Sequence, residues 1–261
     1  MYHYFEKWNK AGDEMNHLLT GAELRPINDS ALVVQLGKEP SPMVHEGVMY
    51  FSTLLEENPF HGFIECVPAY LNVTVYYNPY LVYQSQSFHT IVSPFEIVCN
   101  YIKYLLHQLA DQKRFTGSKI VIPVLYGNEY GPDLDYVAQY NKLSIEDVVR
   151  IHTEKEYLVY MIGFAPGFPF IGGMSKQIAT PRKSTPRLAI APGSVGIAGE
   201  QTGVYPLETP GGWQIIGRTP IKLFLSEQVP PSLLKAGDTI QFLSISHKEY
   251  QQYEQGGRKN E

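Results

Sequence analysis

The residues best suited to chemistry lie in the block 180–218, which reads TPRKSTPRLAIAPGSVGIAGEQTGVYPLETPGGWQIIGR. Pro and Gly fix the backbone of this block, so its long polar side chains project from stiff turns. A guanidinium fork on a rigid support suits a carboxylate or a phosphate held by two hydrogen bonds. The side chains concerned are Arg182, Arg187, Gln201, Tyr205, Glu208, Trp213, Gln214 and Arg218.

Chemistry alone leaves three interpretations of this block open. The arginines could bind an anionic substrate, as their geometry allows. Rigid aromatic, Arg and Gln groups also suit a protein–protein interface. The arginines could equally pair with surface carboxylates and have only a structural role.

The stretch 163–173, GFAPGFPFIGG, looks like a phosphate-binding loop but lacks the Lys and the hydroxyl that such loops use. Pro166 and Pro169 stiffen it, and Phe164, Phe168 and Phe170 offer large apolar faces. We expect a rigid wall of a cleft, part packing and part interface. Only its backbone N–H groups could contribute to catalysis directly.

Other motifs exclude several kinds of chemistry. The spacing of Gly193, Gly196 and Gly199 is not the dinucleotide fingerprint and favours a strand with tight turns. The sequence contains no G-x-x-x-x-G-K-[ST], nucleophile elbow, HExxH or CxxC. His152 is expected at a helix terminus or an interface rather than as a base. No metal site is evident, and the two cysteines are expected to be buried, inert thiols in a reducing compartment.

Residues 134–150, LDYVAQYNKLSIEDVVR, resemble a helix-turn-helix, with a turn near Asn141 and Ser144 capping the second helix. From Asp133 to Glu156, however, six acidic residues stand against three basic ones, a field that repels DNA. The net charge of −5 agrees, so no nucleic-acid partner is expected. We predict a helical pair that packs on the β-barrel predicted below for the second half of the chain.

The first half of the chain predicts an α+β layer. Residues 23–37 indicate a hairpin, 63–67 and 71–77 are strand-like, and helices begin after Ser41 and at a Ser93–Glu96 capping box. This order favours a ferredoxin-like domain, with the helices on one face of an antiparallel sheet.

The second half predicts an all-β barrel or sandwich, because short apolar runs alternate there with Gly and Pro and no long helix follows residue 156. The predicted strands are 157–162, 188–191, 195–198, 213–216, 221–224 and 239–243. The expected organisation is an extension at 1–20, an α+β domain at 21–112, a linker at 113–119, a β-barrel domain at 120–247 and a flexible tail at 248–261. No apolar run is long enough for a membrane span and the first residues are too polar for a signal peptide, so a cytoplasmic location is expected.

Several segments together resemble one family. GFAPGFPFIGG, ATPRKSTPR, APGSVGIAGEQTGVYPLETPGGWQIIGRTP and AGDTIQF are similar to the allophanate hydrolase subunit 1 / Kip-inhibitor family, and the resemblance extends over roughly residues 22–245. Asn28 and Asn128 stand where the family usually has Gly, but both are turn positions at which Asn tolerates positive φ. The resemblance implies an N-terminal α/β domain followed by a cyclophilin-like β-barrel.

The resemblance also implies an activity. It suggests a subunit of a heteromeric ATP-dependent 5-oxoprolinase, inactive alone, that acts with the subunit 2/Kip-antagonist protein and a third subunit. The alternative that it implies is a regulatory protein that binds and inhibits a sporulation histidine kinase.

For lactam opening, Arg182, Arg187 and Arg218 would supply positive charge and Glu208 would be the base. Gln201 and Gln214 would orient the substrate, and Tyr205 and Trp213 would contact it, Trp213 as a wall. ATP is the expected co-substrate, with its site shared or on another subunit, since no nucleotide motif is visible.

Overall fold

The structure is a computed structural model that describes residues 18–85, 92–108 and 117–257. The chain divides into two compact units, Met1–Phe115 and Thr116–Glu261. Most of the extension predicted at 1–20 lies outside the described residues. Leu19, which is described, is completely buried in the core of the first unit.

The first unit is a four-stranded antiparallel sheet with helices packed on it. Its elements are β1 (Glu23–Asn28), β2 (Ala31–Gln35), α1 (Pro42–Glu57), β3 (Phe63–Pro68), β4 (Asn72–Tyr77), α2 (Pro79–Gln84) and α3 (Pro94–Gln108). The predicted capping box is confirmed, since Ser93 N–H donates to Glu96 Oε2 at 3.0 Å and Glu96 N–H donates to Ser93 Oγ at 3.3 Å. Ser41 caps α1 as predicted, accepting a hydrogen bond from Val44 N–H.

The ferredoxin-like expectation for this unit is not confirmed. A ferredoxin-like sheet is built by the order β-α-β-β-α-β, in which a strand follows the second long helix. Here the sheet order is β1-β2-β4-β3, and the edge position next to β2 is taken by β1, which precedes both long helices. The sequence does indicate the hairpin at 23–37. The place of this hairpin in the sheet, however, depends on the pairing of β2 with β4, which is a long-range contact.

The second unit contains a closed seven-stranded barrel of order β10-β7-β6-β13-β5-β12-β9 and a two-stranded sheet, β11-β8. Its strands are β5 (Lys119–Tyr126), β6 (Glu156–Ile162), β7 (Pro169–Gly172), β8 (Arg187–Ile190), β9 (Ser194–Ala198), β10 (Gln201–Val204), β11 (Thr209–Gly211), β12 (Gln214–Arg218) and β13 (Thr239–Ser244). Its helices are α4 (Leu134–Asn141), α5 (Ile145–Glu154) and α6 (His247–Gly257). The barrel predicted for the second half is therefore present.

The predicted helical pair is confirmed as α4 and α5. Lys142 ends α4 in the left-handed conformation with φ +57°, and Ser144 caps α5 by accepting from Asp147 N–H at 3.0 Å. Val137 and Val148, one from each helix, are completely buried in the core of the barrel unit. The pair packs on the barrel because its apolar side chains complete that core.

Two expectations for this unit are wrong. The run 221–224 is not a strand, since only Phe224 forms an isolated bridge, to Ser232, although Leu223 is buried in the core. The expectation that no long helix follows residue 156 is also wrong, since His247–Gly257 form helix α6, with a reciprocal capping box of Ser246 and Glu249 at its start. This helix overlaps the tail expected at 248–261, of which 258–261 lie outside the described residues. Tyr250 anchors this helix by burying its ring.

Candidate anion-binding site

Three buried aromatic rings form the floor of the candidate site. Phe168 lies 5.4 Å from Tyr205 and 5.9 Å from Trp213 between ring centroids, and Tyr205 lies 6.2 Å from Trp213, all edge to face. The backbone leaves room for the indole, because a Cβ on Gly203 would stand 3.0 Å from its ring and one on Gly196 would stand 3.1 Å from Cβ of Trp213. The indole of Trp213 therefore packs closely against the backbone of Gly196 and Gly203.

The loop GFAPGFPFIGG contributes both to this floor and to the surface. Phe168 is buried, Phe170 is half-buried at 5.3 Å from it, and Phe164 is 71% exposed at 5.4 Å from it. Phe164 also has φ +70°, a conformation that is costly for a bulky residue. The second part of the loop, from Pro169, is strand β7.

A charged cluster sits beside the aromatic floor and is centred on Asp133, whose side chain is 7% exposed. The two terminal nitrogens of the Arg187 guanidinium each lie 2.8 Å from one oxygen of this carboxylate. Lys183 Nζ donates to Asp133 Oδ1 at 3.1 Å, and the backbone N–H of Ile215 donates to Oδ2 at 2.7 Å. Burial raises the pKa of Asp133, but the bonds from Arg187, Ile215 and Lys183 outweigh it and hold that pKa below its ordinary value.

On both sides of Arg182, the loop before β8 is hydrogen-bonded to residues at or just before the start of β12. Gln214 Nε2 donates to the carbonyl of Pro181 at 2.8 Å, and Lys183 N–H donates to the carbonyl of Gly212 at 2.7 Å. Between these anchors the Arg182 guanidinium lies over Trp213, 5.9 Å from the ring centroid. No carboxylate among the described residues lies within ion-pair distance of it.

Tyr205 is buried next to these arginines. Burial raises the pKa of its hydroxyl to about 12, against the opposing effects of Arg182, the Trp213 backbone and Arg187. Gly211 is required beside it, because a Cβ there would stand 2.5 Å from the Tyr205 hydroxyl oxygen. The phenol is a neutral group at ordinary pH.

Arg218 belongs to a different group of side chains. It is four residues beyond Gln214 on β12, about 13 Å along a strand, and its guanidinium lies 5.5 Å from the Tyr130 ring centroid. Tyr130 in turn packs at 4.9 Å from Tyr250 of α6. The Nε of Arg218 is buried without a hydrogen-bond partner in the described structure.

The remaining predicted residues lie around the barrel strands. Gln201 begins β10 opposite Ala198, while Gln214 begins β12 opposite Ile197, so one strand separates them. Gln214 is buried, and its Oε1 has no hydrogen-bond partner in the described part of the chain. Glu208 is exposed before β11, and no hydrogen bond or ion pair is described for its carboxylate. The structure thus brings together Arg182, Arg187, Tyr205, Trp213, Gln214 and the Phe residues, but not Arg218.

His152 lies in the last turn of α5, as expected, and is completely buried. Thr202 Oγ1 donates to the carbonyl of Gly196 at 3.1 Å, so this oxygen accepts from His152 Nε2–H at 2.8 Å. His152 Nδ1 then accepts from the Tyr126 hydroxyl at 2.7 Å. Burial lowers the pKa of this imidazole to about 3, so it is a neutral core residue.

The glycine series of β9 is structural, in agreement with the interpretation from sequence. Gly193 has φ +80° and a Cβ on it would stand 2.4 Å from the carbonyl of Thr219, while Gly199 makes a turn with φ +58°.

Cys66 and Cys99 are buried free thiols, as expected, and burial raises the pKa of both, that of Cys66 to about 12.

Within residues 18–85, 92–108 and 117–257, no three His, Cys, Asp or Glu side chains are grouped so that they could hold a metal ion. None of the helices described there is long and apolar enough to cross a membrane.

A pocket of about 590 Å³ opens elsewhere on the barrel unit, between the end of β5 and helices α4 and α5. Its polar lining includes Asp135, Glu146 and Arg150, and Arg150 is engaged by Asp147 at 3.1 Å and Glu154 at 3.5 Å. None of the predicted site residues lines it.

Sequence reasoning misses Asp133 and Lys183 as members of the site. In the sequence, Asp133 is only one of six acidic residues between 133 and 156. Its position directly before a helix would favour a capping role, not an ion pair. At Asp133 the side chain makes no such capping bond and binds Arg187 instead. That departure is visible only in three dimensions.

Comparison with known proteins agrees with this architecture. The family described as carboxyltransferase domain, subdomain C and D, matches residues 22–234, and the chain belongs to it. This confirms the resemblance to the allophanate hydrolase subunit 1 family.

Among curated relatives, the B subunit of 5-oxoprolinase from Bacillus subtilis (strain 168) is 50% identical over 233 residues, covering 89% of this chain and 97% of the relative. The corresponding B subunit from Haemophilus influenzae is 38% identical over 218 residues, covering 84% of this chain and 95% of the relative. The crystal structure of TTHA0988 has a TM-score of 0.70 at 29% identity over 86% of this chain. This chain spans 40% of the length of that one.

Proposed function

We propose that this chain is a subunit of a heteromeric, ATP-dependent 5-oxoprolinase, which converts 5-oxo-L-proline, ATP and water to L-glutamate, ADP and phosphate. The observation that carries the proposal is the 50% identity to the B subunit of a bacterial 5-oxoprolinase, over 97% of that protein's length. In the complex, the chain acts in the cytoplasm with the subunit 2/Kip-antagonist protein and a third subunit.

The charged cluster supports this proposal chemically. Opening a lactam with ATP requires positive charge for the substrate carboxylate and for phosphate, together with oriented amide groups. In this cluster Arg182 presents a guanidinium group without a carboxylate partner among the described residues, and the buried amide of Gln214 binds the carbonyl of Pro181 next to it in sequence. Arg218, which also has no carboxylate partner there, lies in its separate group beside Tyr130 and would supply charge from that position. Arg187 contributes charge but is already paired with Asp133.

The remaining roles follow the same chemistry. Glu208, exposed directly before β11, is the proposed base, and Gln201 is the second orienting amide. Tyr205 and Trp213, whose ring centroids lie 6.2 Å apart, would contact the substrate, Trp213 as a wall. The ATP site is shared with, or lies on, another subunit.

The test is reconstitution. The chain is co-purified with its subunit 2 partner, the third subunit is added, and ATP-dependent glutamate formation from 5-oxoproline is measured. We expect a stable complex, product only when all subunits are present, and none from this chain alone. Absence of both complex and activity would contradict the proposal and turn attention to histidine-kinase inhibition, where stoichiometric inhibition of autophosphorylation without turnover is expected.

A further inference from the structure

Two cations bind one carboxylate in the second unit, and a third cation is the sequence neighbour of one of them. Arg187 and Lys183 both bind Asp133, while Arg182 lies over Trp213 with no carboxylate near it among the described residues. The cluster therefore carries an excess of positive charge beside an aromatic floor. Such an excess, held on a rigid frame, attracts an anion.

The three cations are not equivalent. Arg187 faces Asp133, with Nη2 donating to Oδ1 at 2.8 Å and Nη1 lying 2.8 Å from Oδ2 but buried without a hydrogen-bond partner among the described residues. Lys183 donates only one of its three N–H groups to Asp133, and its side chain is 31% exposed. Arg182 is exposed and its guanidinium makes no described hydrogen bond. Donors for a ligand are therefore left on Arg182 and Lys183.

Hydrogen bonds hold the backbone from which these donors project. Pro181 and Lys183, the neighbours of Arg182, are hydrogen-bonded to Gln214 at the start of β12 and to Gly212 just before this strand, at 2.8 and 2.7 Å. Asp133 binds the same strand through Ile215 N–H and binds Lys183 through its side chain. The loop is thus held at three points before any ligand arrives, which reduces the entropy lost on binding.

We propose that Arg182 and Lys183 form an oxyanion-binding site, with Asp133 holding Lys183 and neutralising Arg187. The ligand is a carboxylate or a phosphate. The inference depends on the proposed function only for the source of this group, which is 5-oxo-L-proline or the nucleotide.

The experiment uses the intrinsic fluorescence of Trp213 in the full chain. The only other tryptophan, Trp8, lies outside the described residues and is replaced in a Trp8→Phe background. The chain is titrated with 5-oxo-L-proline, with inorganic phosphate and with neutral 2-pyrrolidinone, which has the lactam without the carboxylate. Arg182→Gln and Lys183→Gln are compared with Arg150→Gln, an exposed arginine on α5.

We expect saturable binding of 5-oxo-L-proline or of phosphate, weakened at least about tenfold by Arg182→Gln and by Lys183→Gln and unchanged by Arg150→Gln. Saturation by 5-oxo-L-proline alone assigns the site to the carboxylate, and saturation by phosphate assigns it to the nucleotide. No response to either anion, equal binding of 2-pyrrolidinone, or equal binding by Arg182→Gln would overturn the proposal. An anion response without glutamate formation in the reconstituted complex would contradict the proposed function while leaving this site standing.

Discussion

The carboxylate of Asp133 and the guanidinium of Arg187 face each other across 54 residues of sequence, with two N···O distances of 2.8 Å. The pair joins the start of α4 to the start of β8, and through Ile215 it also holds β12. The side chain of Asp133 is 7% exposed and that of Arg187 is 28% exposed, so the carboxylate of the pair is part of the interior of the barrel unit.

Removing Arg187 therefore leaves a buried carboxylate without its main partner. We expect Arg187→Ala to lower the free energy of unfolding by about 3 kcal/mol, the lower end for a broken buried pair, because Lys183 still compensates in part. Arg182→Ala, which breaks no ion pair, should cost less than about 1 kcal/mol. Urea denaturation of both variants makes the comparison, and equal losses would contradict the structural role of Arg187.

The pH dependence of stability should come from two buried histidines, one in each unit. Burial lowers the pKa of His45 to about 4 and that of His152 to about 3. The unfolded forms take up a proton near pH 6.5, so below that pH the unfolded state binds more protons than the folded state.

Stability is therefore fully present above about pH 6.5 and falls with decreasing pH, by about 1.4 kcal/mol per pH unit for each histidine. The lowered pKa of Asp133 adds a loss only below its ordinary value of 3.8. Urea denaturation between pH 7 and pH 5 measures the slope, and a constant free energy of unfolding over that range would contradict this account.

Gly211 should be intolerant of any side chain. A Cβ there would stand 2.5 Å from the Tyr205 hydroxyl and 2.7 Å from Ile190 Cδ1, so Gly211→Ala should cost about 1 to 3 kcal/mol. Gly256→Ala is the matched control, because nothing lies within 4 Å of its added Cβ and the residue is helical. The control should leave Tm unchanged or raise it. Equal Tm values for the two variants would contradict the prediction and show that the Tyr205 side chain moves aside at little cost.

Phe164 should serve association rather than folding. It is 71% exposed with φ +70°, so Phe164→Gly relieves an unfavourable backbone conformation and should stabilise the isolated chain by up to about 1 kcal/mol. The same variant should weaken binding to the subunit 2 partner, whereas Phe168→Ala should cost about 3 to 5 kcal/mol of stability. Calorimetric binding by Phe164→Gly at wild-type affinity would remove this residue from the interface.

Local signals in the sequence predict much of the secondary structure. The Ser93–Glu96 box and the α4–α5 pair depend on residues three or four positions apart, and both are present. The Ser246–Glu249 box is equally local, but it is easily overlooked because α6 buries little besides Tyr250. For the run 221–224 the sequence predicts a strand that is absent, since an apolar segment can also be buried as a loop.

The candidate site is predictable only in part, for a physical reason. Arg182, Trp213 and Gln214 are identifiable because their types and stiff surroundings suggest binding. Which arginine is paired depends on Asp133, and the separate position of Arg218 depends on its packing with Tyr130 and α6. These are long-range contacts that the spacing of residues does not encode.

The central claim is tested most directly by steady-state kinetics of the reconstituted complex carrying Arg182→Gln. We expect kcat/KM for 5-oxo-L-proline in ATP-dependent glutamate formation to fall at least about tenfold, the effect of a lost charged contact. The Arg150→Gln complex should retain the wild-type value. Equal kcat/KM values for the wild-type and Arg182→Gln complexes would contradict the claim that this cluster takes part in the reaction.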